Sequence, residues 1–258
     1  MSSHVIRAER SIIPACDVEI GAFEDIVRET AGVEGVGAYK VGVSFLDVGL
    51  SAVMDVARRF AEGKPVIYDH QKAGTDIHEK TPEDFMDSMV RAGVHAVILF
   101  PQAGPVTQYE WTRAAQNEGL GVIVGGEMTH PRYLESDVSE GKDKNYTNIF
   151  ADLGIDREMR GYLREFAPGD MYELAARMGV TDFVMPGNKP DAIVAYRKLV
   201  VDCGVDDPAI YSPGLVAQGG EISDGARAAG KRFHGIVGRG ITQKSNYRAA
   251  AEELTSQL

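Results

Sequence analysis

Eight short apolar runs, separated by longer stretches of helical pattern, constrain the fold of this chain more than any other feature. Each run is nearly continuous in apolar residues, which predicts a strand buried on both faces, as strands of a parallel sheet are. In chain order the runs are Ser11–Cys16, Gly37–Val43, Pro65–Tyr68, His95–Phe100, Gly121–Val124, Asp182–Met185, Ala209–Tyr211 and Gly235–Val237.

Amphipathic helices are predicted between these runs, for example over Leu50–Glu62, Thr81–Ala92, Ala192–Cys203 and Ile222–Lys231. Eight strands in alternation with helices over 258 residues predict an α/β fold, the closed (β/α)₈ TIM barrel. A doubly wound open sheet is the alternative. The composition does not change along the chain in a way that would mark a second domain, so residues 1–258 are expected to form a single barrel domain.

One segment departs from this rhythm, and we interpret residues 135–166 as an inserted loop and helix. Glu135–Asn148 is a polar loop, and Ile149–Phe166 has a pattern that predicts a helix. Long loops in compact domains are either functional or insertions. Two interpretations of this segment remain open, a lid over the site and a surface insertion.

The composition limits the classes of partner. A net charge of −11 argues against nucleic acid or an anionic membrane as the main partner. No apolar run approaches the roughly 18 residues of a membrane span. Cys16 and Cys203 give neither a disulfide framework nor a zinc pattern, which favours a reducing cytoplasm. A cytoplasmic protein acting on a small molecule is expected.

The end of the third run carries the densest group of charges. Asp69, Lys72 and Asp76 alternate in sign directly after the apolar residues of that run. Buried charges are costly unless they are paired, so such a group indicates a functional site, with a solvated loop as the alternative. In a TIM barrel the active site lies at the carboxyl ends of the strands, where this group would stand.

Glycine-rich loops follow the last two strands. Gln218 and Gly219 belong to the loop after strand 7, and Gly238 and Arg239 to the loop after strand 8. Glycine lets backbone N–H groups approach an anion, and arginine adds a bidentate contact. The two loops predict a phosphate site, and tight turns that merely need glycine are the alternative.

Taken in order, these motifs resemble the orotidine 5′-phosphate decarboxylase family over residues 11–245. The matching segments are residues 212–220 and 236–241 for the phosphate-binding end, 39–42 for strand 2, 127–131 for strand 5, and Asp17 for strand 1. Thr129 stands where the family usually has serine. Asp69, Lys72, Asp76 and Ile77 are similar to the family signature Asp-x-Lys-x-x-Asp-Ile.

The resemblance has two departures. Two residues separate Asp69 from Lys72 and three separate Lys72 from Asp76, one more in each interval than in the family signature. Because residues two apart share a face of a strand and residues three apart do not, a bulge or turn near His70 would be needed. The second departure is the extra length at residues 135–166.

The resemblance implies a carboxy-lyase that decarboxylates orotidine 5′-phosphate (OMP) to UMP in pyrimidine biosynthesis, without a cofactor. It makes Lys72 the proton donor, places Asp69 near the departing carboxylate, and pairs Lys40 with Asp69 and Asp76 with Lys72. It also implies a homodimer with shared sites, in which Asp76 comes from the neighbouring subunit. The implied substrate-binding residues are Asp17 for ribose, Thr129 for the pyrimidine amide, Gln218, Gly219, Gly238 and Arg239 for phosphate, and Ile77.

Other functions stay open at this point. Related barrels of the superfamily, such as keto-sugar-phosphate decarboxylases and hexulose-phosphate synthases, use Mg²⁺ and typically have Glu where this chain has Lys40. A barrel that binds a phosphate ligand without catalysis is a further alternative. His70, His78 and His130 lie near the predicted site, but their spacing matches no familiar ligand motif, so no metal is expected.

Overall fold

Eight parallel strands form one sheet that curves into a nearly closed barrel. The computed structural model describes residues 4–69, 81–137, 150–155, 157 and 159–258. The strands are β1 Arg10–Pro14, β2 Tyr39–Val41, β3 Val66–Asp69, β4 Ala96–Leu99, β5 Gly121–Gly125, β6 Asp182–Val184, β7 Ala209–Ser212 and β8 Arg232–Val237. Their order is β1-β8-β7-β6-β5-β4-β3-β2, and parallel bridges between Ile12 and Val36 and between Ala15 and Lys40 join β1 to the β2 segment. The predicted (β/α)₈ barrel is confirmed.

Helices alternate with the strands and pack around the outside of the barrel. They are α1 Ile20–Thr30, α2 Leu50–Phe60, α3 Thr81–Ala92, α4 Pro105–Asn117, α5 Ala167–Arg177, α6 Pro190–Asp202, α7 Ile222–Ala229, α8 Arg239–Thr242 and α9 Tyr247–Thr255, with a 3₁₀ turn at Val43–Phe45. Proline in the first turn helps to start α4, α5 and α6, because that position needs no N–H donor. Within the described ranges, no helix is long and apolar enough to cross a membrane.

The strands divide their side chains between two apolar layers. Residues such as Ile13, Ile67 and Ile98 belong to a cluster that fills the barrel. Their neighbours in sequence, such as Val66 and Val97, belong to a cluster packed under the helices. This division follows from the alternation of side chains along a strand, and it leaves the carboxyl ends of the strands to carry polar groups.

The amino end of the barrel is closed by buried polar contacts, which we call the floor. Asp182 at the start of β6 accepts hydrogen bonds from the Tyr211 hydroxyl at 2.8 Å and from the backbone N–H of Val5 at 3.3 Å. His234 contacts the Ser11 hydroxyl at 2.9 Å. Strand β8 begins at Arg232, not at Gly235 as predicted, because its polar residues hide the start of the apolar run.

The helix predicted over residues 149–166 is wrong for most of the part of that segment that the structure describes. Residues 150–152 are helical, but Gly154 takes a left-handed φ of 73°, which ends the turn. Further on, Leu163 bridges to Leu134, and a side chain at Gly161 would meet the Leu134 carbonyl oxygen at 2.4 Å. The chain is therefore extended here, and α5 starts only at Ala167.

Candidate active site

A cavity of about 430 Å³ opens at the carboxyl ends of the strands. The predicted site residues that line it are Asp17, Lys40, Asp69, Thr129, Gln218, Gly238 and Arg239. Lys72, Asp76 and Ile77 lie outside the described residues. A larger depression of about 940 Å³ lies beneath the floor, at the opposite end of the barrel. The smaller cavity is the candidate site, because barrel enzymes place their chemistry at the carboxyl end of the strands.

A buried ion pair forms one wall of the cavity. Lys40 Nζ lies 2.9 Å from Asp69 Oδ2, and the two residues are 8% and 9% exposed. Lys40 pairs with Ile67 across β2 and β3, so Asp69, two residues further along β3, points to the same side of the sheet. The pairing of Lys40 with Asp69 that the sequence predicted is present.

Two opposing effects act on the Lys40 ammonium. Burial lowers the pKa of Lys40, whereas the nearby carboxylates of Asp69 and Asp17 raise it, and the net result is a raised pKa. Lys40 is therefore a cation at neutral pH, and it gives Asp69 the positive partner that a buried carboxylate needs.

The ends of β1, β2 and β3 approach closely at Gly42. A Cβ at Gly42 would lie 2.7 Å from the Asp69 carbonyl oxygen and 3.6 Å from Asp17 Oδ1. Only glycine fits between these groups without a shift of backbone. The exposed Asp17 thus stands at the cavity mouth, beside the buried pair. Next to it, burial raises the pKa of the Cys16 thiol, which stays neutral and unreactive.

Thr129 connects the loop after β5 with the loop after β7. A Cβ at Gly214 would lie 2.7 Å from Thr129 Cγ2 and 3.2 Å from Gln218 Oε1, so the three residues are in close packing. The neighbouring His130 stacks edge-on against Tyr133 with ring centroids 5.3 Å apart. Burial, together with the charge of Lys189, lowers the pKa of His130, which makes the ring neutral at pH 7.

The glycines after β7 serve a tight turn. Gly214 and Gly219 have φ values of 88° and 86°, in the left-handed region that favours glycine. The turn is closed by backbone hydrogen bonds from Val216 N–H to the Gly220 carbonyl at 2.8 Å and from Gly220 N–H to the Gly214 carbonyl at 3.2 Å. Gly219 lies in this turn next to Gln218, which lines the cavity together with the exposed Arg239, whereas Gly219 itself does not line it. One loop can therefore need glycine for its tight turn and also bind a phosphate group.

Sequence reasoning missed a polar network behind the cavity. Glu127, 4% exposed, accepts hydrogen bonds from Lys189 Nζ and from the Tyr196 hydroxyl, both at 2.6 Å. Lys189 Nζ also reaches Asp137 Oδ1 at 3.4 Å. These residues are up to 69 positions apart, and no motif spacing links them.

Histidine and carboxylate groups are the side chains that could bind a metal ion here. His70 and His78 lie outside the described residues. Among the residues that the structure describes, no three His, Cys, Asp or Glu side chains are grouped to hold a metal ion.

Comparison with known proteins finds relatives of similar sequence. No family model matches the chain. A curated orotidine 5′-phosphate decarboxylase from Methanosarcina mazei is 28% identical over 251 residues, covering 97% of this chain and 96% of that protein. A second, from Methanosarcina barkeri, is 28% identical over 225 residues, covering 87% of this chain and 84% of that protein. The chain is therefore similar to orotidine 5′-phosphate decarboxylases over most of its length.

Solved structures of proteins from the orotidine 5′-phosphate decarboxylase family share the fold. The enzyme of Methanocaldococcus jannaschii, complexed with the inhibitor BMP, superposes with a TM-score of 0.73 at 20% identity, covering 97% of this chain and 99% of that one. The enzyme of Pyrococcus horikoshii gives a TM-score of 0.68 at 22% identity, covering 95% and 98%. The whole barrel is thus common to this chain and its relatives.

Proposed function

We propose that this protein is an orotidine 5′-phosphate decarboxylase, which converts OMP to UMP in pyrimidine biosynthesis without a cofactor. One observation carries the proposal. The buried Lys40–Asp69 pair stands in the same cavity as Arg239 and the glycine loops, so a charged reaction centre and an anion site share one compartment. The curated relative from Methanosarcina mazei, which aligns with this chain over nearly its full length, is an orotidine 5′-phosphate decarboxylase. This similarity supports the assignment.

The substrate would lie across the cavity with its two ends in different surroundings. Its phosphate would bind Arg239, Gln218 and the backbone of Gly219 and Gly238, because guanidinium and backbone N–H groups recognise phosphate oxygens. At the other end, the pyrimidine carboxylate would lie near the Lys40–Asp69 pair. Ribose hydroxyls would reach Asp17, the pyrimidine amide would bind Thr129, and Ile77 would contact the substrate.

Loss of CO₂ from the pyrimidine leaves a carbanion with little resonance stabilisation. The protein must therefore supply positive charge that is already in place, and then a proton. Lys72 takes both roles in the proposal, and Asp76 keeps it charged. Asp69 stands beside the departing carboxylate, where two like charges about 4 Å apart repel by roughly 4 kcal/mol at an effective dielectric near 20. Lys40, 2.9 Å from Asp69, reduces that repulsion.

The proposal includes a cytoplasmic homodimer with shared active sites. Three apolar side chains on the segment after β2 are exposed, Val43 by 53%, Leu46 by 70% and Val48 by 40%. Neighbouring exposed apolar side chains are typical of an interaction surface. This segment follows Lys40 in the chain, so a partner seated on it would lie on the side of the barrel that carries Lys40.

The test is the loss of OMP absorbance by the purified protein, with and without EDTA, alongside UMP detection. We expect turnover that EDTA does not change, and its abolition by Lys72→Ala, with UMP binding retained. Lys198→Ala is the matched control, since Lys198 is exposed and pairs with Asp202 within α6. Turnover that needs Mg²⁺ would assign the chain to the metal-dependent relatives, and UMP binding without turnover would make it a binding protein.

A further inference from the structure

Two consecutive residues after β6 hold the loop that carries Thr129. The Asn188 side chain donates from Nδ2 to the Thr129 carbonyl oxygen at 3.2 Å. Lys189 Nζ donates to Glu127 at 2.6 Å and to Asp137 at 3.4 Å. The loop is therefore bonded before, at and after Thr129 by two adjacent residues of the connection between β6 and α6.

Glu127 makes this attachment strong. Its carboxylate is buried and both oxygens are engaged, one by Lys189 and the other by Tyr196. A buried carboxylate is costly without a positive partner, and Lys189 is the cation that faces it. Burial lowers the pKa of Lys189, but Glu127 and Asp137 raise it by more. The pKa is therefore raised overall, and the ammonium keeps its charge.

Asp137 closes the other end of the loop. Its second oxygen accepts hydrogen bonds from the backbone N–H groups of Tyr133 at 2.8 Å and Leu134 at 3.0 Å. Lys189 thus lies between the first and last residues of the segment 127–137. Removal of the Lys189 charge would leave two carboxylates facing each other, and they would repel.

Thr129 has little freedom on the cavity side. Gly214 packs against it so closely that a single added carbon at Gly214 would meet Thr129 Cγ2 at 2.7 Å, and the same carbon would meet Gln218 Oε1 at 3.2 Å. A small shift of the Thr129 loop would therefore change both the pyrimidine contact and the loop after β7. Neither Glu127 nor Lys189 lines the cavity, so any effect on substrate must pass through Thr129 and its neighbours.

From these contacts we propose that Asn188 and Lys189 are positioning residues for Thr129. They hold the threonine where it recognises the pyrimidine, without touching substrate themselves. This inference rests on the proposed function, and it goes beyond it by assigning part of the substrate specificity to a network behind the site.

A pair of double-mutant cycles tests the proposal. Lys189→Met is combined with Thr129→Ala in one cycle and with Arg239→Ala in the other, and kcat/KM for OMP and the dissociation constant of UMP are measured. We expect Lys189→Met to lower kcat/KM about 10-fold alone, about 2-fold in the Thr129→Ala background, and about 10-fold in the Arg239→Ala background, since residues that share a contact couple and distant ones add. Lys189→Arg should restore most of the loss.

Asn188→Ala separates positioning from folding, because it removes the bond to Thr129 and leaves the ion pairs intact. It should lower kcat/KM with an unchanged urea midpoint, and it should couple to Thr129→Ala in the same way. Equal losses of kcat/KM in the Thr129→Ala and Arg239→Ala backgrounds would overturn the proposal. Losses of kcat/KM that the fraction of unfolded protein explains by itself would also overturn it. A wild-type protein without OMP turnover would instead overturn the proposed function, and the cycles on UMP binding would still report the coupling.

Discussion

Lys40 is a residue at which opposing electrostatic effects can be weighed against each other. Burial disfavours its charge, but the neighbouring carboxylates prevail and its pKa is raised. The benefit is mutual, because Asp69 is buried at the end of β3 and has Lys40 at 2.9 Å. Removal of one member of a buried pair typically costs more than replacement of both, since the remaining charge has no partner.

The Lys40–Asp69 pair gives the first prediction. Lys40→Met should destabilise the protein by about 3–5 kcal/mol in urea unfolding, because it leaves the Asp69 carboxylate buried and unpaired. The double variant Lys40→Met/Asp69→Leu should recover most of that stability, since an apolar pair can replace a buried ion pair. Both variants should lack OMP turnover. A double variant as unstable as the single one would show that the loss comes from packing and not from charge.

At the scale of elements, the strands were predictable because buried parallel strands are continuous apolar runs. The predicted elements were wrong where another structural requirement outweighed the apolar pattern. Arg232 and His234 place polar groups in the first half of β8, so the apolar run there begins late. In the segment before α5, Gly154 and Gly161 suit turns and close backbone contacts, which override a helical pattern.

The candidate site was predictable only as far as fold geometry determines it. A barrel brings all strand ends to one face, so the sequence alone predicts that Asp17, Lys40 and Arg239 lie in one cavity. The contact between Glu127 and Lys189 could not be predicted in this way. The two residues are 62 positions apart in the sequence, and the direction of their side chains depends on packing. Sequence spacing carries no signal for such a pair.

The loops after β7 and β8 give the second prediction. Arg239→Ala should lower kcat/KM strongly for OMP, by about 100-fold, and hardly at all for the nucleoside orotidine, because a remote phosphate contact can be used to stabilise the transition state. Arg248→Ala is the control, since Arg248 is exposed on α9 and faces Glu252. Steady-state rates with OMP and with orotidine measure the two effects. Equal losses on both would make Arg239 a structural residue.

At the scale of the whole molecule, the floor of the barrel links pH to stability. His234 is fully buried against Ser11, and burial lowers its pKa to about 4, with Arg232 adding to the effect and Asp182 opposing it. In the unfolded chain a histidine has a pKa of about 6.5. Between these values the unfolded state binds a proton that the folded state does not, so stability falls as the pH falls.

The third prediction follows from that difference. Between about pH 7.5 and about pH 5, His234 should remove about 2 kcal/mol from the free energy of unfolding, and the loss should level off only near pH 4. Urea titrations of the wild type and of His234→Gln measure it. The variant should start from a lower stability but lose less of it on acidification. Parallel curves for the two proteins would assign the acid sensitivity to other groups.

The proposed dimer gives the last prediction at this scale. If Asp76 acts in the site of the neighbouring subunit, neither an Asp76→Ala nor a Lys72→Ala homodimer should turn over OMP. In a heterodimer of the two variants, one site receives both substitutions and the other receives an intact Lys72 and an intact Asp76. Mixing inactive proteins should therefore restore activity, which a site built within one subunit cannot do.

The size of the recovery is fixed by symmetry. Random exchange makes about half of the dimers heterodimers, each with one intact site, so activity should reach about one quarter of the wild-type value. Native mass spectrometry of a mixture with one tagged variant verifies the exchange, and a mixture of Lys72→Ala with a tagged copy of itself is the blank. Exchange without recovery would place Asp76 in its own subunit's site or outside catalysis. The spacing around Lys72, one residue longer on each side than in the family signature, makes this measurement the direct test of whether the longer segment still reaches across the interface.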